Sequence, residues 1–360
     1  MATLRDIAVE VGVSIRTVSR ALSDNGYVRA DLKERIVEVA DRLGYRPDPV
    51  AQSLRLGRSR QIVVVSHSVD ELHMAKIASL ERHVRAQGLT VSVVMSTQDE
   101  MNSIALLPEI RARKPWGTVL IGTLGSDVTL LAEALYRAGI PSIAVDAACD
   151  YPAVLIDRPA GVTEAAGYLV STGRRRIVYL GPSESRSRIE GFSRAMREHD
   201  RETLLFDPGA SRSRTVTAAG LLERYPHADA VQAYSDEWAL ELIAGLHARG
   251  VRVPDDVAVV GFDDRWAASY SWPALTTVAQ PSAAIGEAVA EVLAGSPRER
   301  LDQLCALTVR ADQGLRDGRN ARPGAGRSVV QPNSKSAAVR QLVGELTRRI
   351  PTKLIVRESA

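Results

Sequence analysis

Residues 11–20 read Val11-Gly12-Val13-Ser14-Ile15-Arg16-Thr17-Val18-Ser19-Arg20, and the fold is decided there. Upstream, Leu4, Ile7, Ala8 and Val11 recur at helical spacing, which predicts a short amphipathic helix. Gly12 supplies a turn position that tolerates a left-handed backbone. Ser14 is a good N-cap for a second helix over about 15–22, which buries Val18, Ala21 and Leu22. Its other face shows Ile15, Arg16, Thr17, Ser19 and Arg20. A third helix is expected from a capping-box pattern at Asp31-Leu32-Lys33-Glu34, with Ile36, Val39, Ala40 and Leu43 inward and Gly44 at its end. Two helices around a tight glycine turn with a third behind them form a helix-turn-helix. In such a unit the start of the second helix meets base edges in the major groove. Arg16 suits a bidentate bond to guanine, and Ile15 an apolar contact to a thymine methyl. Taken alone, the same residues also fit a plain solvated face.

The stretch beyond tips that balance. Arg46-Pro47-Asp48-Pro49 is an extended link, and 50–57 suits a helix of about two turns, too short to persist unsupported. The combination of Val11-Gly12-Val13-Ser14, Thr17-Val18-Ser19-Arg20, Leu43-Gly44-Tyr45-Arg46-Pro47 and Ala51-Gln52-Ser53-Leu54 closely resembles the LacI/GalR family of repressors. The resemblance implies a hinge helix over 49–57 that pairs with its dimer mate. Leu54 then matches the leucine that wedges into the minor groove and kinks DNA; its alternative is a linker residue packed on the core. The DNA contacts implied are Thr3, Ser14, Ile15, Arg16, Thr17, Ser19, Arg20, Tyr27, Ala51 and Leu54.

From Gln61 short apolar strands alternate with helices. Strands are expected at 62–66, 90–96, 118–122, 142–146, 154–157, 177–181, 230–234, 257–262 and 276–280, with helices such as 75–87, 130–138, 160–171 and 238–249 between them. That alternation implies parallel sheets covered on both faces, and its length implies two of them. Ligands bind outside the carboxyl ends of such strands or between two domains. The family resemblance continues in Arg188 followed by Gly191-Phe192, in Tyr234-Ser235-Asp236-Glu237-Trp238-Ala239, in 253–264 and in 275–281. It implies a two-lobed core like that of periplasmic sugar-binding proteins. Arg188 and Asp263 then match positions that bond ligand hydroxyls, which suits a guanidinium fork and an accepting carboxylate. Ser235 and Asp236 are weaker candidates, since Asp236 also fits a helix cap, as does Asp264. Phe262 and Trp238 fit either stacking on a sugar or core packing.

The first lobe departs from the family at Ser66-His67-Ser68-Val69-Asp70-Glu71-Leu72-His73, where an Asn-Pro-aromatic motif is usual. The spacing of its histidines and carboxylates matches no ordinary zinc pattern. We read it as lining the ligand mouth through Ser68 and Asp70, with no metal and no cofactor. The end of the chain repeats itself. Residues 278–282 lead to Leu307-Thr308-Val309-Arg310, and 329–333 lead to Leu354-Ile355-Val356-Arg357-Glu358-Ser359. The expectation is that 276–312 fills the single terminal slot of the fold, 313–327 is a poorly ordered linker, and the second copy is dispensable.

Composition is consistent with this scheme. With 45% hydrophobic and 25% charged residues the chain reads as globular. Residues 1–60 hold 11 Lys/Arg against 8 Asp/Glu, while the remainder balances 35 against 35, so the net charge of +3 sits where phosphates would be met. No apolar run reaches the roughly 18–20 residues of a membrane span, and the first ten residues carry no apolar signal core, so a cytoplasmic protein with no membrane partner is expected. Cys149 and Cys305 show no metal-type spacing and read as free thiols. The domains expected are a helix-turn-helix at 1–46, a hinge at 47–60, a core at 61–312 and a linker with the degenerate repeat at 313–360. The function expected is a homodimeric transcription regulator, most simply a repressor, that binds a pseudo-palindromic operator on double-stranded DNA and is controlled by a small carbohydrate effector. A ligand-binding protein without DNA function is opposed by the first 60 residues. An enzyme on the same core is opposed by the lack of a phosphate loop, metal spacing or nucleophile elbow.

Overall fold

The computed structural model describes residues 2–23, 27–46, 57–122, 127–147, 149–209, 214–295, 298–319 and 337–360. It separates into two compact units, Met1–Arg60 and Gln61–Ala360.

In the first unit, α1 (Leu4–Val11), α2 (Ile15–Ser23) and α3 (Ala30–Arg42) close around Ile7, Ala8, Val11, Val18, Ala21, Ile36, Val39 and Ala40. Thr3 caps α1 through a reciprocal box: its backbone N donates to Asp6 Oδ2 at 2.8 Å, and its hydroxyl accepts from Asp6 N at 3.3 Å. Gly12 ends α1 with φ 76°, a conformation costly to any residue with a Cβ. The box expected at Asp31 and Glu34 does not form. The helix starts earlier, with Arg29 at the cap position and no side-chain cap bond. Asp31 therefore lies inside the first turn, where its charge complements the helix dipole.

The second unit is two parallel-sheet lobes built alike. The first lobe takes β1 (Gln61–Ser66), α4 (Glu71–Arg85), β2 (Thr90–Met95), α5 (Gln98–Met101), α6 (Leu107–Arg113), β3 (Gly117–Ile121), α7 (Thr129–Arg137), β4 (Ser142–Val145) and β5 (Ala153–Ile156). The chain then crosses to the second lobe: α8 (Arg158–Ser171), β6 (Ile177–Leu180), α9 (Arg186–Glu198), β7 (Leu204–Phe206), α10 (Arg214–Arg224), β8 (Ala230–Ala233), α11 (Asp236–His247), β9 (Ala258–Asp263), α12 (Trp266–Tyr270) and β10 (Thr276–Ala279). It crosses back through α13 (Ser282–Ala294), α14 (Arg298–Arg319), α15 (Ala337–Leu346) and β11 (Arg348–Ile350), then over again to β12 (Lys353–Ile355).

Among the described residues the sheet orders are β2-β1-β3-β4-β5-β11 and β7-β6-β8-β9-β10-β12. The first is parallel throughout; in the second β12 runs antiparallel to β10. Central strands such as Val63-Val64-Val65 and Val259-Val260 are fully buried, as helices on both faces require. The small β7, β11 and β12 were not among the expected strands.

The reading of the C-terminus is corrected. The segment 276–312 does not fill the slot alone: 337–360 supplies an edge strand to each sheet. Leu307-Thr308-Val309, expected as the ending of the first copy, lies inside α14, and the expected boundary at 312 cuts that helix. The reason is periodicity. Leu301, Leu304, Cys305 and Thr308 fall on one helical face, and the first three join the core of the first lobe. The tail is bonded in place. Ser359 accepts from Thr276 N at 2.8 Å, Arg357 meets Asp264 at 2.7 Å, and Tyr168 donates its hydroxyl to the Ala360 carbonyl at 3.0 Å. Residues 313–319 continue α14, and the rest of the expected linker lies outside the described residues.

Candidate nucleic-acid interface and ligand cleft

The first unit offers α2. Ser14 caps it by accepting from Thr17 N at 3.1 Å, and the two hydroxyls bond to each other at 2.9 Å. That turn fixes the helix start, so Ile15 and Arg16 project into solvent rather than into the core; Ile15 keeps 47% of its surface exposed. Arg20 is exposed on the same helix, and Ser19 is half-buried. Tyr27 is 91% exposed. Thr3 is committed to capping α1. Ala51 and Leu54, with most of the expected hinge, lie outside the described residues.

In the second unit a polar cluster gathers at the carboxyl ends of the strands, where the lobes face each other. Asp146 follows β4, Asp263 ends β9 and Gln280 follows β10. Both aspartates take positive φ, 60° and 127°, a strained backbone for a residue with a side chain. Arg158, at the start of α8, grips Asp146 with both guanidinium nitrogens. Burial pushes the Asp146 carboxyl up, but Arg158 outweighs it and holds the group below its usual range. Asp263 accepts from Gln280 Nε2 at 2.7 Å; burial raises its pKa against the opposing charge of Arg188. Lys76, on α4, is 4% exposed and donates to Gln280 Oε1 at 2.9 Å. Burial lowers its pKa, with Asp146 opposing. Arg188 donates to the Tyr234 carbonyl and lies over the rings of Tyr234 and Phe262, 4.1 and 4.3 Å from their centroids.

A cavity of about 710 Å³ opens here, lined among others by Asp146, Arg158, Arg188, Tyr234 and, from the tail, Thr347. That volume suits a small molecule. The lobes also touch directly: Trp266 N donates to Glu71 Oε1 at 2.8 Å, and Arg265 lies 3.5 Å from Asp70.

Residues 3–48 match the family "Bacterial regulatory proteins, lacI family", and 166–301 match the periplasmic binding protein-like domain. The PurR repressor of Vibrio atlanticus is 29% identical over 311 residues, covering 81% of this chain and 91% of that protein. The chain joins a lacI-family DNA-binding domain to a periplasmic binding protein-like domain. Two solved structures are similar over nearly the whole length. The lac repressor dimer bound to operator and an anti-inducer has a TM-score of 0.69 at 21% identity, covering 99% of this chain and 98% of that one. The regulator CelR in complex with cellobiose has a TM-score of 0.62 at 23% identity, covering both chains in full.

Within this periplasmic binding protein-like core the expected ligand residues are not all in one place. Arg188 lines the cavity, and Asp263 sits in the polar cluster beside it. Ser235 caps α11, its Oγ accepting from Trp238 N at 3.4 Å. Asp236 is buried and caps nothing of its own helix. It accepts from Thr277 Oγ1 at 2.5 Å and from Arg265 N at 2.7 Å, and burial raises its pKa to about 7. Asp264, expected as a cap, pairs with Arg357 instead. Trp238 and Phe262 are core residues.

Ser68 and Asp70 build the entry to α4. Ser68 Oγ accepts from Asp70 N, and Asp70 accepts from Leu72 N, His73 N and the His73 ring. Burial raises Asp70, but these hydrogen bonds from His73 hold it well below the usual carboxylate range. Among the described residues no group of three or more His, Cys, Asp or Glu is placed to hold a metal. Sequence reasoning missed Lys76, Asp146, Arg158 and Gln280. The available signal was position: two of them, Arg158 and Gln280, stand at a crossing between lobes.

Proposed function

We propose that this chain is a sequence-specific DNA-binding transcription regulator, acting as a homodimer in the cytoplasm, whose two-lobed core binds a small carbohydrate-like effector. The observation that carries it is α2: a helix whose first exposed residues, Ile15 and Arg16, stand clear of the core in a domain of the lacI family. Repression is the reading favoured by the PurR relative, and assembly on an operator by the lac repressor dimer. The cellobiose complex of CelR supports a carbohydrate in the cleft. No helix among the described residues is long and apolar enough to cross a membrane.

In this reading each protomer presents α2 to one half-site, so the operator mirrors the twofold of the dimer. Leu54 wedges the minor groove and Ala51 lies beside it. Ligand bound between the lobes acts by unequal affinity for two lobe arrangements, the only way it can shift a pre-existing equilibrium. Selection of DNA sites by the purified protein tests this. The expected outcome is a near-palindrome protected in footprints at low salt. Binding without sequence preference, with and without sugars, would overturn it.

A further inference from the structure

The ligand cleft sets three cations, Lys76, Arg158 and Arg188, around two carboxylates, Asp146 and Asp263. Lys76 sits on the buried face of α4 with Ile77, Leu80 and Val84, where an apolar side chain would be expected. Its one hydrogen-bond partner there is the neutral Gln280 amide. Arg188, 5% exposed, has a backbone carbonyl and two aromatic faces for company. Among the described residues neither cation has a carboxylate within ion-pair distance. The nearby acids act on both cations at longer range, but each is bonded first to another group. Both carboxylate oxygens of Asp146 are held by Arg158, while Asp263 accepts from Gln280 at 2.7 Å and has Arg265 at 3.9 Å. Asp127, Asp150 and Arg349 also line the cavity, but they are exposed, where water screens their charge.

Burying a cation without a counterion is costly, and chains ordinarily avoid it by pairing the charge or replacing the residue. Two such cations flanking the same pair of aspartates, one of them lining an open cavity, are explained by a counterion that arrives from outside. We propose that the effector of this cleft carries an acid group, a carboxylate or a phosphate, that docks on Arg188 from the cavity in the field of Lys76. Arg188 suits that task because its fork can bond two oxygens at once, and the rings of Tyr234 and Phe262 hold it in plane. The hydroxyl-bonding part of the ligand falls to Asp146 and Asp263. The inference rests on the proposed carbohydrate-binding role of the cleft and narrows it to sugar acids or sugar phosphates.

The test uses the full-length protein and matched series of aldoses, their aldonic acids and their phosphates, read by thermal unfolding and titration calorimetry. The expected result is that an acid or phosphate binds at least tenfold tighter than its neutral parent; which of the two does so identifies the source of the charge. Lys76→Met removes the charge, keeps the bulk, and is expected to bring acid and parent within threefold of each other. Its unliganded form should melt no lower than the wild type, because it loses a buried cation that has no carboxylate within ion-pair distance. An acid preference that survives in Lys76→Met overturns the inference. So does tight binding of neutral sugars with none of acids, which leaves the carbohydrate reading intact. If no member of any series binds, while the protein still holds its selected DNA site, both readings fall.

Discussion

Arg16 and Asp236 are both ionisable residues near the start of a helix, and their surroundings give them opposite duties. Arg16 is exposed, with its helix start fixed by Ser14, so its guanidinium is free to meet a base. Arg16→Ala is expected to relax preference at one operator position by about 1–3 kcal/mol, measured by repeating site selection. A uniform loss across all sequences would reassign it to a phosphate. Asp236 is enclosed by Thr277 and Arg265 N, and burial raises its pKa from 3.8 to about 7. The folded state therefore holds this proton more tightly than the unfolded chain does. The stability so gained is present below the ordinary carboxylate pKa and is lost as pH rises toward 7. Asp236→Asn should flatten the stability profile between about pH 4 and 7, where the slope from one proton is at most about 1.4 kcal/mol per unit. Denaturant unfolding at several pH values reads it, and an unchanged slope would show that Asp236 is ionised throughout.

Close helix packing sets the behaviour of whole elements. Gly286 lets α13, which follows the second crossing, lie directly on α4: a Cβ there would sit 2.5 Å from both Leu80 N and Ser79 Cβ. Gly286→Ala is expected to destabilise the core by about 1–3 kcal/mol, seen as a lower urea midpoint. The tail is the element most at odds with its sequence. An apolar run such as Leu307-Thr308-Val309 suits a strand or a helix, and local pattern does not choose between them. The wider spacing of Leu301, Leu304 and Cys305 favoured helix, and the open edges of β5 and β10 were left for β11 and β12. Truncation after Asp312 therefore removes both edge strands, the Arg357–Asp264 pair and the Ser359 bonds. The expected product is insoluble or molten; a soluble, cooperatively melting fragment would restore the dispensable-repeat reading.

For the molecule as a whole, the helix proposed to read DNA and the cavity proposed to bind ligand lie in separate compact units. A fragment spanning 61–360 should fold and bind ligand, yet give no retardation of the selected operator in a gel-shift assay. Retardation by that fragment would move the DNA contact out of α2. In the intact protein, operator affinity should fall log-linearly with salt, by about 0.9 per phosphate neutralised. Ligand at about a hundredfold over its Kd should stabilise the core by about 2.7 kcal/mol, which calorimetry would register.

Local pattern alone determined the three-helix unit and the alternation of strand and helix, and it left Ile15 and Arg16 on the exposed face of the second helix. Capping, turn glycines and apolar periodicity act over a few residues, so they can be read without knowing the fold. Resemblance carried Arg188 and Asp263 to the cleft. Which groups join them was decided only by the tertiary structure. Lys76, Asp146, Arg158 and Gln280 come from four separate elements that meet because two parallel sheets point their carboxyl ends at one another. The charge state of such a cluster depends on burial and on distances across the lobes, and no spacing along the chain encodes either. The same holds for the tail, whose second copy is structural because it pairs with one edge of each sheet.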